Sequence, residues 1–225
     1  MITTPLPIFP LRLVLLPGAV HPLHIFEPRY RTLIRDVTEG AAASRQFGLI
    51  APPEDASEAD LPAGRIGCVA EIMSTEMLPD GRSNIVVEGR ERFRFETWVD
   101  AGTPYRVGHV AAHEDAPESA AALAVSAALV RDLAARVITA TFTVHDAKAD
   151  PPEFNADDAA LSFQVAHLMQ LGDDRLYAIL SERSPLARLR QLFSALESKV
   201  GAIEGAAELH TRAKTNGHHH GPPPV

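Results

Sequence analysis

The chain has 225 residues, 46% hydrophobic and 22% charged, with a formal net charge of −8. That length sets one to two domains with a core large enough to need no covalent staples, and the single cysteine, Cys68, excludes an intramolecular disulfide framework and a multi-thiolate metal site. Both halves are acidic, −3 over residues 1–113 and −5 over 114–225, which argues against a broad phosphate-binding surface.

The opening Met1-Ile2-Thr3-Thr4-Pro5 carries no basic region, and Pro5, Pro7, Pro10 and Pro17 interrupt the apolar run. No secretory signal is expected, so a reducing cytoplasm is the expected location. No stretch reaches the roughly 18 apolar residues of a membrane span. The proline-punctuated segment Pro5 to Leu16 suits an edge strand, and Pro17-Gly18 marks a turn. Leu23 to Phe26 is a short strand. Pro28 suits the first turn of a helix over Arg29 to Glu39, with Gly40 at its C-terminal cap. That helix carries Tyr30, Leu33, Ile34 and Val37 on one stripe.

Phe47 to Ala51 reads as a strand, and Pro52 to Arg65 as a mobile, acidic loop. Ile66 to Met77 is a long strand. Leu78-Pro79-Asp80-Gly81-Arg82 is a turn: proline presets φ, aspartate bonds its own backbone and glycine accepts a positive φ. It implies a hairpin to a strand over 83–88, which Gly89 interrupts. From Arg92 to Val99 the residues alternate. Phe93, Phe95, Thr97 and Val99 share one face, and Arg92, Arg94, Glu96 and Trp98 the other. Tyr105 to Ala111 completes a small, partly closed β-structure. Arg90, Arg92 and Arg94 form its one basic cluster, diluted by Glu88, Glu91 and Glu96.

After His113 the period changes from two to about 3.6. Ala120 to Val137 reads as an alanine-rich helix, Thr139 to Val144 as its frayed end or a loop, and Asp146 to Asn155 as a loop. Asn155 or Asp157 could cap a helix over Asp158 to Leu171 closed by Gly172. A short helix follows over Asp173 to Ser181. Ser184-Pro185 opens a last helix whose stripe runs from Leu186 through Leu189, Leu192, Leu196 and Val200 to Ile203. The expected organisation is a β subdomain over 1–113, a helical bundle over 114–205 and a disordered tail over 206–225.

Chemistry-bearing motifs are sparse. There is no G-x-x-x-x-G-K-[ST], no G-x-G-x-x-G, no G-x-S-x-G and no H-E-x-x-H. Lys148, Lys199 and Lys214 have no recognisable serine partner. Cys68 reads as a small buried hydrophobe rather than a nucleophile. His21 and His24 stand three apart in an extended segment and so face opposite sides, which does not favour a metal site with Glu27. His109, His113, His145 and His167 are scattered, and the tail around His218-His219-His220 is assigned no function. No cofactor, metal or catalytic residue is expected. Met73, Met77, Leu78 and Trp98 lie beside the hairpin; core packing is their ordinary role, and they are the candidates for a peptide-binding surface.

Four ordered blocks carry a resemblance. Pro7-Ile8-Phe9-Pro10-Leu11, Val14-Leu15-Leu16-Pro17-Gly18 and Pro22-Leu23-His24-Ile25-Phe26-Glu27-Pro28-Arg29-Tyr30 form an opening signature. Arg65 to Ile72 follows as a glycine-centred strand on Gly67. Leu78 to Arg82 and then Val87-Glu88-Gly89-Arg90-Glu91-Arg92-Phe93 complete it. Together they resemble the N-terminal, substrate-binding domain of the Lon protease family, over about residues 5–203. The resemblance implies an α+β fold, a PUA-like, partly closed β-barrel followed by a C-terminal α-helical bundle. It also implies engagement of unfolded or tagged polypeptides, in a stand-alone bacterial member without ATPase or protease domains.

Within the signature, Pro10, Pro17, Gly18, Pro22, Glu27, Gly67, Asp80, Gly81, Gly89 and Arg92 are expected to be structural. Gly81 and Gly89 would permit unusual backbone angles, and Arg92 would pair with Glu27 or Glu71. The expected function is a non-catalytic polypeptide-binding module in protein quality control, with unfolded or flexible segments as partners and a separate protease or chaperone behind it. The alternatives are an RNA-binding PUA-like protein, which the net charge disfavours, and an enzyme, for which no nucleophile–base pair is visible.

Overall fold

The computed structural model describes residues 4–39, 44–148, 150–169 and 171–216. Two compact units form, one from Met1–Ala116 with Gln170–Arg183, the other from Pro117–Met169 with Ser184–Val225. The expected cap residue Gly40 and the histidine-rich tail lie outside the described residues.

The first unit contains β1 (Thr4–Pro10), β2 (Val20–Ile25), α1 (Pro28–Glu39), β3 (Gln46–Ile50), β4 (Ile66–Met77), β5 (Ser83–Val99), β6 (Arg106–Ala112) and α4 (Asp173–Ser181). The strand order is β2-β5-β4-β3-β1-β6, and β5 also pairs with β6. The sheet therefore closes into a ring through β5, with β2 added outside it. The interior holds Ile8, Ile50, Leu61, Phe93, Phe95 and Val110. Closure leaves β2 as a strand with one free edge, beside shorter unpaired stretches at the start of β1 and the hairpin end of β4.

β5 can serve three partners because it is long and bent. Its register slips between Cys68/Ala70 and Ile72/Ser74 on the β4 side, and between Phe95 and Thr97 on the β6 side. Such bulges bend a strand and raise its twist. The expected break at Gly89 is instead continuous strand. A Cβ there would lie 2.1 Å from the Leu16 carbonyl oxygen, and Gly89 exchanges backbone bonds with Gly18 (2.8 Å) and Ala19 (2.9 Å). Gly89 thus serves close approach rather than an unusual angle; the positive φ belongs to Gly81 (+79°) and Gly18 (+75°).

β1 corrects the expectation of an edge strand, since it lies between β3 and β6. Its prolines fit for a specific reason. Leu11 donates to the Ile50 carbonyl, so odd-numbered donors of this strand face β3. Pairing with β3 begins only at Ile8, whereas Pro5 and Pro7 pair across β6 alone. Their missing N–H groups therefore face a side with no ladder to break. The loop expected to be mobile is also tied down. It carries a 3-10 turn at Glu58–Asp60, Leu61 is buried, and Glu58 accepts two bonds from the Arg29 guanidinium (2.6 and 2.9 Å).

The second unit contains α2 (Ala120–Val144), α3 (Leu161–Leu168) and α5 (Pro185–Asn216). Two boundaries are longer than expected. Thr139 to Val144 continues α2: Thr141 and Thr143 donate to carbonyls one turn back, and Ala140 is buried. Residues 206–216, expected to be disordered, continue α5: Ala206, Ala207, Glu208 and Leu209 have high helix propensity, and Ala207 and His210 continue the half-buried stripe from Ile203, with His210 bonded to Asp146 (3.0 Å). α3 is shorter than expected. Asp157 does cap its entry, accepting from Ala159 and Ala160, but the helix ends at Leu168, and Gly172 precedes α4 instead. Ser184 accepts from Ala187 at the start of α5. Among the described residues no helix is long and apolar enough to cross a membrane.

Candidate functional site

The free edge at β2 carries exposed apolar residues beside irregular backbone. Val20 is 51% exposed and Phe26 59%. Beside them runs a groove of about 670 Å³, lined on its apolar side by Phe9, Pro10, Leu11, Pro22, Leu23 and Phe26. Pro22 explains why this edge does not simply recruit another strand: its ring removes one donor in mid-strand. The groove wall is stiff. Phe9 stacks on Tyr30 with centroids 3.8 Å apart, and Glu27 and Glu58 both hold Arg29 (2.9 and 2.6 Å). The hydrogen bond to Glu58 raises the Arg29 pKa further, and burial raises that of the Tyr30 phenol. His24 is engaged rather than free, with Nδ1 on Asn84 (2.8 Å) and Nε2 near Arg82 (3.4 Å). Among the described residues no group of three or more His, Cys, Asp or Glu side chains is placed to hold a metal ion.

The four residues singled out by sequence do not form one patch. Met73 is 49% exposed and Met77 66%; Met73 is the extra residue where β4 slips between Ile72 and Ser74, so the bulge leaves it unpaired on the surface. Leu78 follows at the hairpin, half-buried. Trp98 is at the other end of β5, opposite Gly108. It packs on Phe95 (4.6 Å), donates from Nε1 to the Ala59 carbonyl and lies under Arg106. The bulge at Glu96 brings it there: one extra residue inverts the alternation, so Trp98 joins the face of Phe95. Phe26 was missed because it reads as an ordinary strand residue, and Val20 because it falls between the Pro17-Gly18 turn and that strand. Their signal is the proline beside them, which marks an edge.

Several signature residues make contacts within the framework of the β unit. Pro10 ends β1 and Pro17-Gly18 forms the turn onto Gly89. A Cβ on Gly67 would meet the Phe93 ring at 2.4 Å. The Glu27 carbonyl accepts from Tyr30 and Arg31 at the start of α1. Asp80 closes the hairpin by accepting from the Arg82 side chain and backbone, which lowers its pKa to about 2. Arg92 corrects the expected pairing. Glu27 binds Arg29 and Glu71 binds Arg90, whereas Arg92, its side chain 4% exposed, pairs with Asp115. It also donates to the carbonyls of Leu180 (2.7 Å) and Glu182 (2.8 Å) at the end of α4. Cys68 is fully buried against the Arg90 carbonyl, and burial pushes its thiol up to about 12, a poor nucleophile.

A family model described as the ATP-dependent protease La (LON) substrate-binding domain matches residues 5–198. The Lon protease of Cytophaga hutchinsonii is 24% identical over 218 residues, covering 94% of this chain and 26% of that protein. The Lon protease of Roseiflexus castenholzii is 30% identical over 196 residues, covering 85% and 24%. The chain thus spans about a quarter of the length of these curated relatives. Among solved structures, a Lon N-terminal domain protein from Xanthomonas campestris aligns with a TM-score of 0.55 at 26% identity, over 85% of this chain and 98% of that one. The N-terminal domain of a Mycobacterium avium complex Lon protease aligns at 0.62 and 17% identity, over 86% and 98%, a likeness of fold alone. With the ring of strands, the signature blocks and the helices after them all accounted for, the chain belongs to the LON substrate-binding domain family.

Proposed function

We propose that this protein is a non-catalytic polypeptide-binding module whose docking surface is the groove along β2. The observation that carries the reading is a groove with an apolar side next to the free edge of β2, with Phe26 exposed in its lining. An extended, unfolded segment would lay apolar side chains into the groove, while Pro22 limits how far it could add as a strand. Met73 and Met77 give a second, adaptable apolar contact. The membership in a substrate-binding family supports a polypeptide as ligand. A separate protease or chaperone is the partner class that would receive such a client, and the cytoplasm is the compartment the reading assigns.

The test is fluorescence anisotropy of a labelled, permanently unfolded polypeptide titrated with the full chain. Saturable binding that survives about 0.5 M salt is expected for an apolar groove. Phe26→Ser should weaken it about tenfold, the loss of one well-buried apolar anchor. Absence of binding by a chain shown folded by circular dichroism would overturn the proposal.

A further inference from the structure

On the other side of the start of α1 lies a second groove, of about 830 Å³, between that helix and the β4–β5 hairpin. Its charge is opposite to that of the molecule. Arg31, Arg35 and Arg45 line it against one carboxylate, Glu39, in a chain whose net charge is −8. Arg31 and Arg35 stand one turn apart on the exposed side of α1, a spacing at which like charges repel. Arg31 has no ion-pair partner among the described residues; its guanidinium lies across Gly81, whose Cβ, if it had one, would sit 2.1 Å from Nη2. Arg35 has only its neighbour Asp36, at 3.4 Å, and that carboxylate also accepts from Tyr105. Arg45 bonds the Ile72 carbonyl through Nε and Nη2, which fixes its plane. Asp80 is held by Arg82. Exposed Met77 adds an apolar wall.

We propose that this groove binds acidic side chains of a polypeptide, so that the module prefers clients in which a carboxylate-rich stretch flanks an apolar one. The inference rests on the reading of the β2 groove as a polypeptide site. Phe26, Glu27 and Pro28 are consecutive; the first two line the β2 groove and Pro28 lines this one, so one extended segment can reach both. The charge arrangement selects the ligand. Planar guanidinium forks match carboxylates in two-point contact, and a carboxylate entering between Arg31 and Arg35 relieves their repulsion.

Three labelled synthetic peptides test this by anisotropy with the full chain: one apolar and neutral, the same peptide with three glutamates at one end, and the same with three lysines. At about 50 mM salt the glutamate peptide should bind about tenfold tighter than the neutral one and the lysine peptide more weakly, the differences shrinking at about 0.5 M salt. Arg31→Gln with Arg35→Gln should abolish the glutamate preference and leave the neutral peptide's affinity unchanged; Arg31→Lys with Arg35→Lys should retain part of it. Both positions are exposed on α1, so the fold should persist, checked by circular dichroism. Equal affinity for all three peptides overturns this inference and leaves the β2 reading standing. Loss of neutral-peptide binding with glutamate preference intact overturns the β2 reading instead. A single-stranded oligonucleotide that displaces the glutamate peptide with equal potency overturns the polypeptide assignment of the groove in favour of nucleic acid.

Discussion

The two units each bury one arginine, and they use it differently. In the β unit, Arg92 reaches the carbonyls at the end of α4 and an aspartate that follows β6. It joins segments far apart in sequence. In the helical unit, Arg188 of α5 donates to the Ser162 hydroxyl and the Ala159 carbonyl and stacks on Phe163, tying α5 to the entry of α3. Their exposed apolar residues differ in the same sense. Val125, Leu129 and Leu209 stand on the outer faces of regular helices. Val20, Phe26, Met73 and Met77 stand at an edge, a strand end, a bulge and a hairpin. A helix satisfies its own backbone, so its outer face is a smooth surface. A closed sheet must bend, slip and end, and each such irregularity leaves a recess beside a fixed side chain.

The largest test of that contrast is Arg92→Ala. It leaves the Asp115 carboxylate and two carbonyls without their buried donor, and should cost about 3–5 kcal/mol. The single tryptophan, Trp98, reports the β unit, so the loss should appear as a lower urea midpoint in fluorescence. Arg188→Ala should cost a similar amount in the helical circular dichroism signal and move the tryptophan midpoint less. Equal movement of that midpoint by both variants would break the comparison, because it would make the chain a single cooperative unit.

Next in size is Gly89→Ala. The added carbon meets the Leu16 backbone rather than a flexible side-chain end, and should cost about 1–3 kcal/mol, read by the same denaturation. Gly201→Ala, in open space on α5, should instead stabilise slightly.

A smaller effect is expected with pH. Burial, aided by the charges of Arg92, Arg183 and Arg94, lowers the His113 pKa from its ordinary 6.5, against the hydrogen bond to the Ser181 carbonyl. The unfolded chain then takes up the proton at higher pH than the folded one. Stability is complete above 6.5 and is lost as pH falls from there through the lowered folded value. The thermal midpoint should fall as pH is lowered across that window. His113→Gln should flatten the part read by Trp98. Burial moves His167 in the helical unit the same way, so its contribution should persist in the helical signal; loss of the entire pH dependence in His113→Gln would assign it all to the β unit. Smallest in stability is Phe26→Ser, expected within about 0.5 kcal/mol of the parent while weakening polypeptide binding about tenfold.

Local chemistry was legible wherever one residue type suffices. The turn at Leu78 to Arg82, the limits of β4, the stripe of α1 and the short helix Asp173–Ser181 follow from proline, glycine and periodicity alone, because those signals act within a few residues. The ring of strands was visible only as a tendency, since closure depends on which strands meet. Tertiary structure decided the rest. Pro5 and Pro7 are tolerated inside the sheet because β3 starts beyond them. Trp98 turns to the face of Phe95 because of a bulge that no spacing announces. Arg92 finds Asp115 rather than Glu27 or Glu71. The two grooves exist because residues from β1, β2, α1, the 52–58 loop and the hairpin are brought together across the fold. A sequence specifies short-range backbone preference directly, but a site built from several segments is fixed only when pairing register and burial have chosen their neighbours.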